Sequence, residues 1–64
     1  MGIYSDILVG RAANAMQTLS ATPRDRSAQI DFSWRVREAS NWLADKELPS
    51  GPVGAAIRRF RGEG

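Results

Sequence analysis

One octapeptide in the middle of the chain fits two different secondary structures: Ile30-Asp31-Phe32-Ser33-Trp34-Arg35-Val36-Arg37. Apolar and polar residues alternate along it, and it is rich in β-branched and aromatic residues, which is typical of a strand. Phe32 and Val36 also stand four residues apart, the spacing of neighbours on one face of an α-helix. Patterns elsewhere in the chain are therefore needed to distinguish a helix from a strand in this segment.

The helical interpretation is favoured because two apolar stripes match each other across an antiparallel hairpin. The first stripe lies in residues 3–20 at spacings of 4-4-3-4: Tyr4, Leu8, Ala12, Ala15 and Leu19. The second lies in residues 23–48 at spacings of 4-3-4: Phe32, Val36, Ala39 and Leu43. A single antiparallel register pairs all the layers: Leu19–Phe32, Ala15–Val36, Ala12–Ala39 and Leu8–Leu43. We expect Gly10, in the first helix, to admit a close neighbour.

Proline, glycine and capping residues predict where the helices begin and end. Thr22 as N-cap and Pro23 at the first helical position predict the start of the second helix, which would run over 23–48. The breaker 48–52 precedes a short third helix over 52–61 with its own apolar stripe: Val53, Ala56, Ile57 and Phe60. The prediction is one all-α domain over 1–64, an antiparallel helical hairpin with a short third C-terminal helix. With a second helix about 39 Å long, it would be elongated.

The alternative begins from a strand over 29–37, followed by helices over 38–48 and 52–61. This order resembles ribbon-helix-helix repressors, over roughly half the chain, with residues 3–20 as an extra N-terminal helix. The resemblance implies a strand-helix-helix dimer in which two chains pair their strands and insert the ribbon into the DNA major groove. The residues it turns outward are Gln29, Asp31, Ser33 and Arg35.

Composition excludes several chemistries. The 64 residues are 42% hydrophobic and 25% charged, as in globular proteins, and include neither Cys nor His. Thiol nucleophiles, Cys/His zinc sites and His-dependent catalysis are thereby ruled out. Asp31, Glu38 and Asp45 recur every seven residues, about 10.5 Å apart along a helix, which is too far for a catalytic carboxylate pair. We expect no enzyme activity, no catalytic residues, no metal site and no cofactor.

The C-terminal segment carries the whole excess charge of +2. Its centre is Arg58-Arg59-Phe60-Arg61, in which cations flank an aromatic ring. Such a cluster can contact phosphates and stack on a base, or bind an acidic protein partner. It can equally satisfy a helix C-terminus and meet Asp45 and Glu38 within the fold.

Two tryptophans indicate a partner-binding surface. On the helical interpretation Trp34 lies about 160° from the apolar stripe, with Ile30 and Leu48 nearby, whereas Trp42 lies about 80° from it, where the third helix can cover it. Tryptophan is enriched among interface hot spots. We therefore expect the partner-binding residues to be Trp34, Ile30, Asp31 and Glu38.

These observations predict a small, non-catalytic protein-protein interaction module, such as an adaptor, an inhibitor or a minor subunit of a larger bacterial or phage assembly. Its partner would be a protein or a second copy of the chain. The alternative is a DNA-binding regulator of ribbon-helix-helix type, or a nucleic-acid backbone binder that uses Arg58, Arg59, Phe60 and Arg61. Because no signal peptide or membrane span is visible, a cytoplasmic location or packaging in a larger particle is expected, with no membrane partner and no small-molecule substrate.

Overall fold

Three α-helices succeed one another over residues 3–62, which are the residues that the computed structural model describes. Helix α1 spans Ile3–Ala21, α2 spans Arg26–Trp42 and α3 spans Pro52–Phe60, with a 3₁₀ turn at Asp45–Glu47. Helices α1 and α2 form the predicted antiparallel hairpin, and α3 packs mainly on α2. The all-α prediction is confirmed; positions 1, 2, 63 and 64 of the predicted domain lie outside the described residues.

Helix α1 buries the middle of its predicted stripe. Leu8, Ala12 and Ala15 are buried, and the flanking Val9 and Met16 pack against the core. Tyr4, at the start of the stripe, is 49% exposed. The expectation for Gly10 is wrong: it is exposed, and a Cβ added there would meet nothing within 4 Å.

The octapeptide 30–37 is entirely helical, within α2. The strand interpretation, and with it the ribbon-helix-helix dimer, is therefore wrong. As a helix, the segment turns Val36 into a core that also contains Ala39, Leu43 and Leu8. A strand would have needed a second chain to pair with, whereas the helix buries its apolar face against α1 of its own chain.

Helix α2 begins later than the prediction. Its N-cap is Asp25, whose carboxylate accepts a hydrogen bond from the Ser27 backbone N–H at 2.9 Å. Thr22 instead donates its hydroxyl back to the Thr18 carbonyl of α1 at 2.9 Å, and its own carbonyl accepts from the Asp25 N–H at 3.0 Å. Residues 22–25 thus close a tight turn, and the stronger capping residue starts the next helix. The predicted start at 23 is wrong for this reason.

Helix α2 also ends earlier, at Trp42, because Leu43 adopts an extended backbone. Residues 43–51 form a returning loop, in which Leu48 packs against the core instead of lying on the helix near Trp34. At 17 residues, α2 is about 25 Å long, and the described chain measures 33 × 27 × 18 Å with a radius of gyration of 11.2 Å. The predicted end at 48 and the elongated shape are therefore wrong.

Helix α3 docks through a glycine. Val53 and Ile57 are buried in the core, as the stripe predicted. Gly54 is buried as well, and a Cβ there would lie 1.8 Å from the carbonyl oxygen of Pro49. The backbone of α3 can approach the returning loop this closely only because position 54 carries no side chain.

Candidate functional site

A shallow groove of about 410 Å³ lies between the outer face of α2 and the last turn of α3. Its lining positions on α2 follow the three- and four-residue spacing of one helical face. They are Arg26, Gln29, Ile30, Ser33, Trp34 and Arg37, and α3 contributes Phe60. We call this surface the α2–α3 groove.

The large apolar side chains of the α2–α3 groove are open to solvent. Ile30 is 51% exposed, Trp34 60% and Phe60 52%. Single exposed apolar residues are ordinary on protein surfaces, but several that meet in one concavity are typical of an interaction site. The outward orientation expected for Trp34 and Ile30 is what the structure shows.

Cations flank this apolar surface. The guanidinium of Arg37 lies over the Trp34 ring, with its Cζ 5.2 Å from the ring centroid, the arrangement of a cation–π pair. Arg26 lines the groove one helical turn before Ile30. Among the described residues that line the groove, the charged side chains are those of Arg26 and Arg37.

The two carboxylates predicted as partner-binding residues flank the groove without lining it. Asp31 forms an i,i+4 ion pair with Arg35, at 3.4 Å from the guanidinium Nε. Glu38 lies in an adjoining hollow of about 280 Å³ that also includes Trp34 and Trp42. Of the predicted set, the groove therefore brings together only Ile30 and Trp34.

The side chains of the C-terminal cluster, residues 58–61, do not all face the same surface. Arg61 turns into the protein: its Nε donates to the Ser40 hydroxyl at 2.9 Å, and its Nη2 donates to the carbonyls of Ser40 at 2.7 Å and Leu43 at 2.8 Å. It also pairs with Asp45. Arg61 thus caps the C-terminus of α2. The expected charge match is confirmed for Asp45, whereas within residues 3–62 no ion pair involves Glu38.

The other members of the cluster do not line one common hollow. Phe60 enters the α2–α3 groove, whereas Arg59 lines a hollow between α1 and α3 that also contains Met16 and Phe32. Arg58 is exposed. Arg59 and Phe60 therefore line different surfaces, while Arg61 is held within the fold.

A second apolar surface lies around Trp42, which is 66% exposed. The expectation that α3 covers Trp42 is wrong, because the shorter α2 ends at this residue. Its neighbour is instead Tyr4 of α1, whose ring stands edge-on at a centroid distance of 6.0 Å and an angle of 88°. Ile7, one turn from Tyr4, is also exposed.

The returning loop is tied to α1 by Glu47. This carboxylate accepts from the Ala44 backbone N–H at 2.9 Å and from the Ser5 hydroxyl at 3.0 Å. Both hydrogen bonds favour the ionised form, so the pKa of Glu47 is lowered, mainly by the Ala44 N–H and then by Ser5. Together with Arg61, this contact fixes the loop and the end of α3.

Comparison with protein-family models, with curated proteins and with solved structures finds no match. Within residues 3–62, no helix has the length and apolar character needed to cross a membrane. The same residues contain no group of three or more side chains suited to holding a metal ion.

Sequence reasoning missed Arg26 and Arg37 as site residues, although each stands one turn from a predicted one: Arg26 from Ile30 and Arg37 from Trp34. That spacing is the signal that could have found them. No local pattern places Phe60 beside Trp34, because their proximity depends on where the loop returns α3 to α2.

Proposed function

We propose that this chain is a non-catalytic interaction module that binds a segment of a partner protein in the α2–α3 groove. The observation that carries the proposal is the convergence of Ile30, Trp34 and Phe60, each at least half exposed, in one concavity. Burial of such side chains by a partner would supply the hydrophobic contribution to binding. The fixed position of α3 supports it, because a surface that is already formed loses little entropy on binding.

The same groove is less suited to a nucleic acid. Base stacking needs open aromatic faces, and Arg37 occupies one face of the Trp34 ring. Arg61 is committed to the fold by its contacts with Ser40, Leu43 and Asp45. The described lining of the groove then offers two cations, Arg26 and Arg37, whereas such binding depends on multiple phosphate contacts.

The groove also lacks an arrangement suited to nucleophilic catalysis. Among the described residues that line it, Ser33 carries the one hydroxyl, which donates to the Gln29 carbonyl at 3.0 Å. The described lining residues include no carboxylate that could act as its base. These features support a binding role for the groove.

The test is to introduce a photo-crosslinking amino acid at position 33, which lines the groove next to Trp34, or, as a control, at position 7, in cells that produce the protein. Crosslinked proteins are identified by mass spectrometry, purified and titrated against the chain. Trp34→Ala and Ile30→Ala should each weaken binding about tenfold or more, as expected for interface hot spots. Ile7→Ala removes a comparable exposed side chain elsewhere and should leave affinity within about twofold. Equal losses for all three variants, or crosslinks only from position 7, would refute the proposal.

A further inference from the structure

We propose that the segment bound in the α2–α3 groove is acidic and amphipathic, with apolar side chains at its centre and carboxylates toward both ends. This inference rests on the proposed function and names the chemistry of its partner. It follows from the order of residues along the groove. Arg26 and Arg37 lie at the two ends of the α2 lining, and Ile30 and Trp34 lie between them.

The spacing of the cations sets the length of the segment. Arg37 follows Arg26 by eleven positions, which corresponds to about 16 Å along the helix axis. Phe60 approaches from α3 and widens the apolar centre between them. A bound segment of about three helical turns, or a shorter extended one, would reach both guanidinium groups while its apolar residues cover the centre.

Both cations are available to a partner. Within residues 3–62 the ion pairs join Arg35 to Asp31 and Arg61 to Asp45, so neither Arg26 nor Arg37 has a carboxylate within 4.0 Å. The position of Arg37 over the Trp34 ring holds its charge beside the apolar surface. A carboxylate placed there would form a charge-assisted hydrogen bond that the surrounding apolar contacts shield from water.

The positive charges of the groove disfavour two other occupants, a second copy of the chain and an uncharged apolar segment. A second copy of the chain that docks groove to groove would bring Arg26 and Arg37 against the same cations. An uncharged apolar segment would fill the centre but leave both guanidinium groups next to a desolvated surface with no partner. An acidic segment satisfies the apolar and the charged parts of the groove together.

The experiment is selection from a displayed library of random 12-residue peptides on the full chain, with counter-selection on Trp34→Ala. Retained peptides should be enriched in Asp and Glu on both sides of aromatic or aliphatic residues. A representative peptide is then synthesised and titrated by fluorescence against Arg26→Gln/Arg37→Gln and against Arg11→Gln/Arg59→Gln. The second pair removes the same charge from exposed positions outside the groove.

We expect the groove double variant to bind at least tenfold more weakly and the control double variant within about twofold of the wild type, with affinity falling as NaCl rises. Circular dichroism checks that all variants stay folded. Retention of basic or uncharged peptides, or equal binding by both double variants, would overturn the acidic segment and leave the proposed function standing. If no peptide binds the wild-type chain better than the Trp34→Ala variant, the acidic segment is also overturned. The proposed function is then tested separately, by titration with the crosslinked protein. If single-stranded oligonucleotides bind in a Trp34-dependent manner and no such peptide binds, both the acidic segment and the proposed function are overturned.

Discussion

The close approach of α3 to the returning loop makes Gly54→Ala the most informative change to the fold. The added Cβ would lie 1.8 Å from the carbonyl oxygen of Pro49 and 2.9 Å from its carbon. Non-bonded contacts of real Cβ atoms are essentially never below 3.0 Å, so helix and loop must separate by at least about 1.2 Å. Because the clashing oxygen belongs to the backbone, it cannot rotate away as the end of a side chain could.

The expected cost follows from two opposing effects. Overpacking of this kind costs about 1–3 kcal/mol, and a backbone clash belongs at the upper end of that range. Alanine favours a helix interior over glycine by up to about 1 kcal/mol. The net loss in free energy of unfolding is then about 2 kcal/mol, which lowers Tm by about 8–16 °C in a domain of this size.

Gly10→Ala supplies a matched control, because Gly10 lies in a helix, is exposed and has open space around it. The same substitution should there raise the free energy of unfolding by about 0.4–1 kcal/mol. Both variants are compared by thermal and urea unfolding, followed by circular dichroism. Because Phe60 is carried by α3, Gly54→Ala should also weaken partner binding while Gly10→Ala should not. A Gly54→Ala variant as stable as Gly10→Ala would refute the docking geometry.

Two further contacts give predictions about the loop and the end of α3. Arg61→Ala should lower the free energy of unfolding by about 1–3 kcal/mol, because it removes charge-assisted hydrogen bonds to Ser40 and Leu43. In the same urea titration, Arg58→Ala at an exposed position should change the free energy of unfolding by no more than about 0.5 kcal/mol. Equal effects of the two substitutions would contradict the capping role of Arg61. The pKa of Glu47 is lowered in the folded state from its ordinary value of 4.5. Ionised Glu47 therefore stabilises the fold at pH values above 4.5, and this stabilisation is lost as the pH falls through the lowered pKa. Glu47→Gln should therefore be less stable than the wild type at neutral pH and approach it in acid, which a series of urea titrations from pH 7 to about pH 2 measures; a stability difference that does not change with pH would contradict the assigned contacts.

The helical hairpin could be predicted because its two stripes agree on one register. Leu8 with Leu43 and Ala12 with Ala39 were paired from spacing alone, and all four residues lie in the observed core. A single segment such as 30–37 is ambiguous because residues four positions apart, such as Phe32 and Val36, lie on one face of a strand and also on one face of a helix. The ambiguity disappears only when a partner surface, here α1, is considered along with the segment itself.

The ends of α2 could not be predicted in the same way, since several capping signals compete locally. Thr22 and Asp25 are both good N-caps, and the choice depends on the Thr22 hydroxyl bonding back to α1. At the C-terminal end, the carbonyls accept hydrogen bonds from Arg61, which lies 19 residues beyond Trp42. Long-range contacts of this kind leave no periodic signal in the sequence.

The candidate site was predictable in part for the same reasons. The outward position of Ile30 and Trp34 follows from helical geometry, because both lie opposite the buried stripe. The contribution of Phe60 does not, because helical periodicity assigned it to the apolar face of α3 that packs inward. In the structure Phe60 is 52% exposed and lines the groove with Ile30 and Trp34.

The most direct test of the α2–α3 groove is a ¹⁵N-¹H NMR titration of the labelled chain with the partner segment identified by crosslinking. Chemical-shift changes should concentrate on the outer face of α2 from Arg26 to Arg37 and on Phe60, including the indole N–H of Trp34. Changes confined to the surface of Tyr4, Ile7 and Trp42, with the groove signals unmoved, would contradict the assignment.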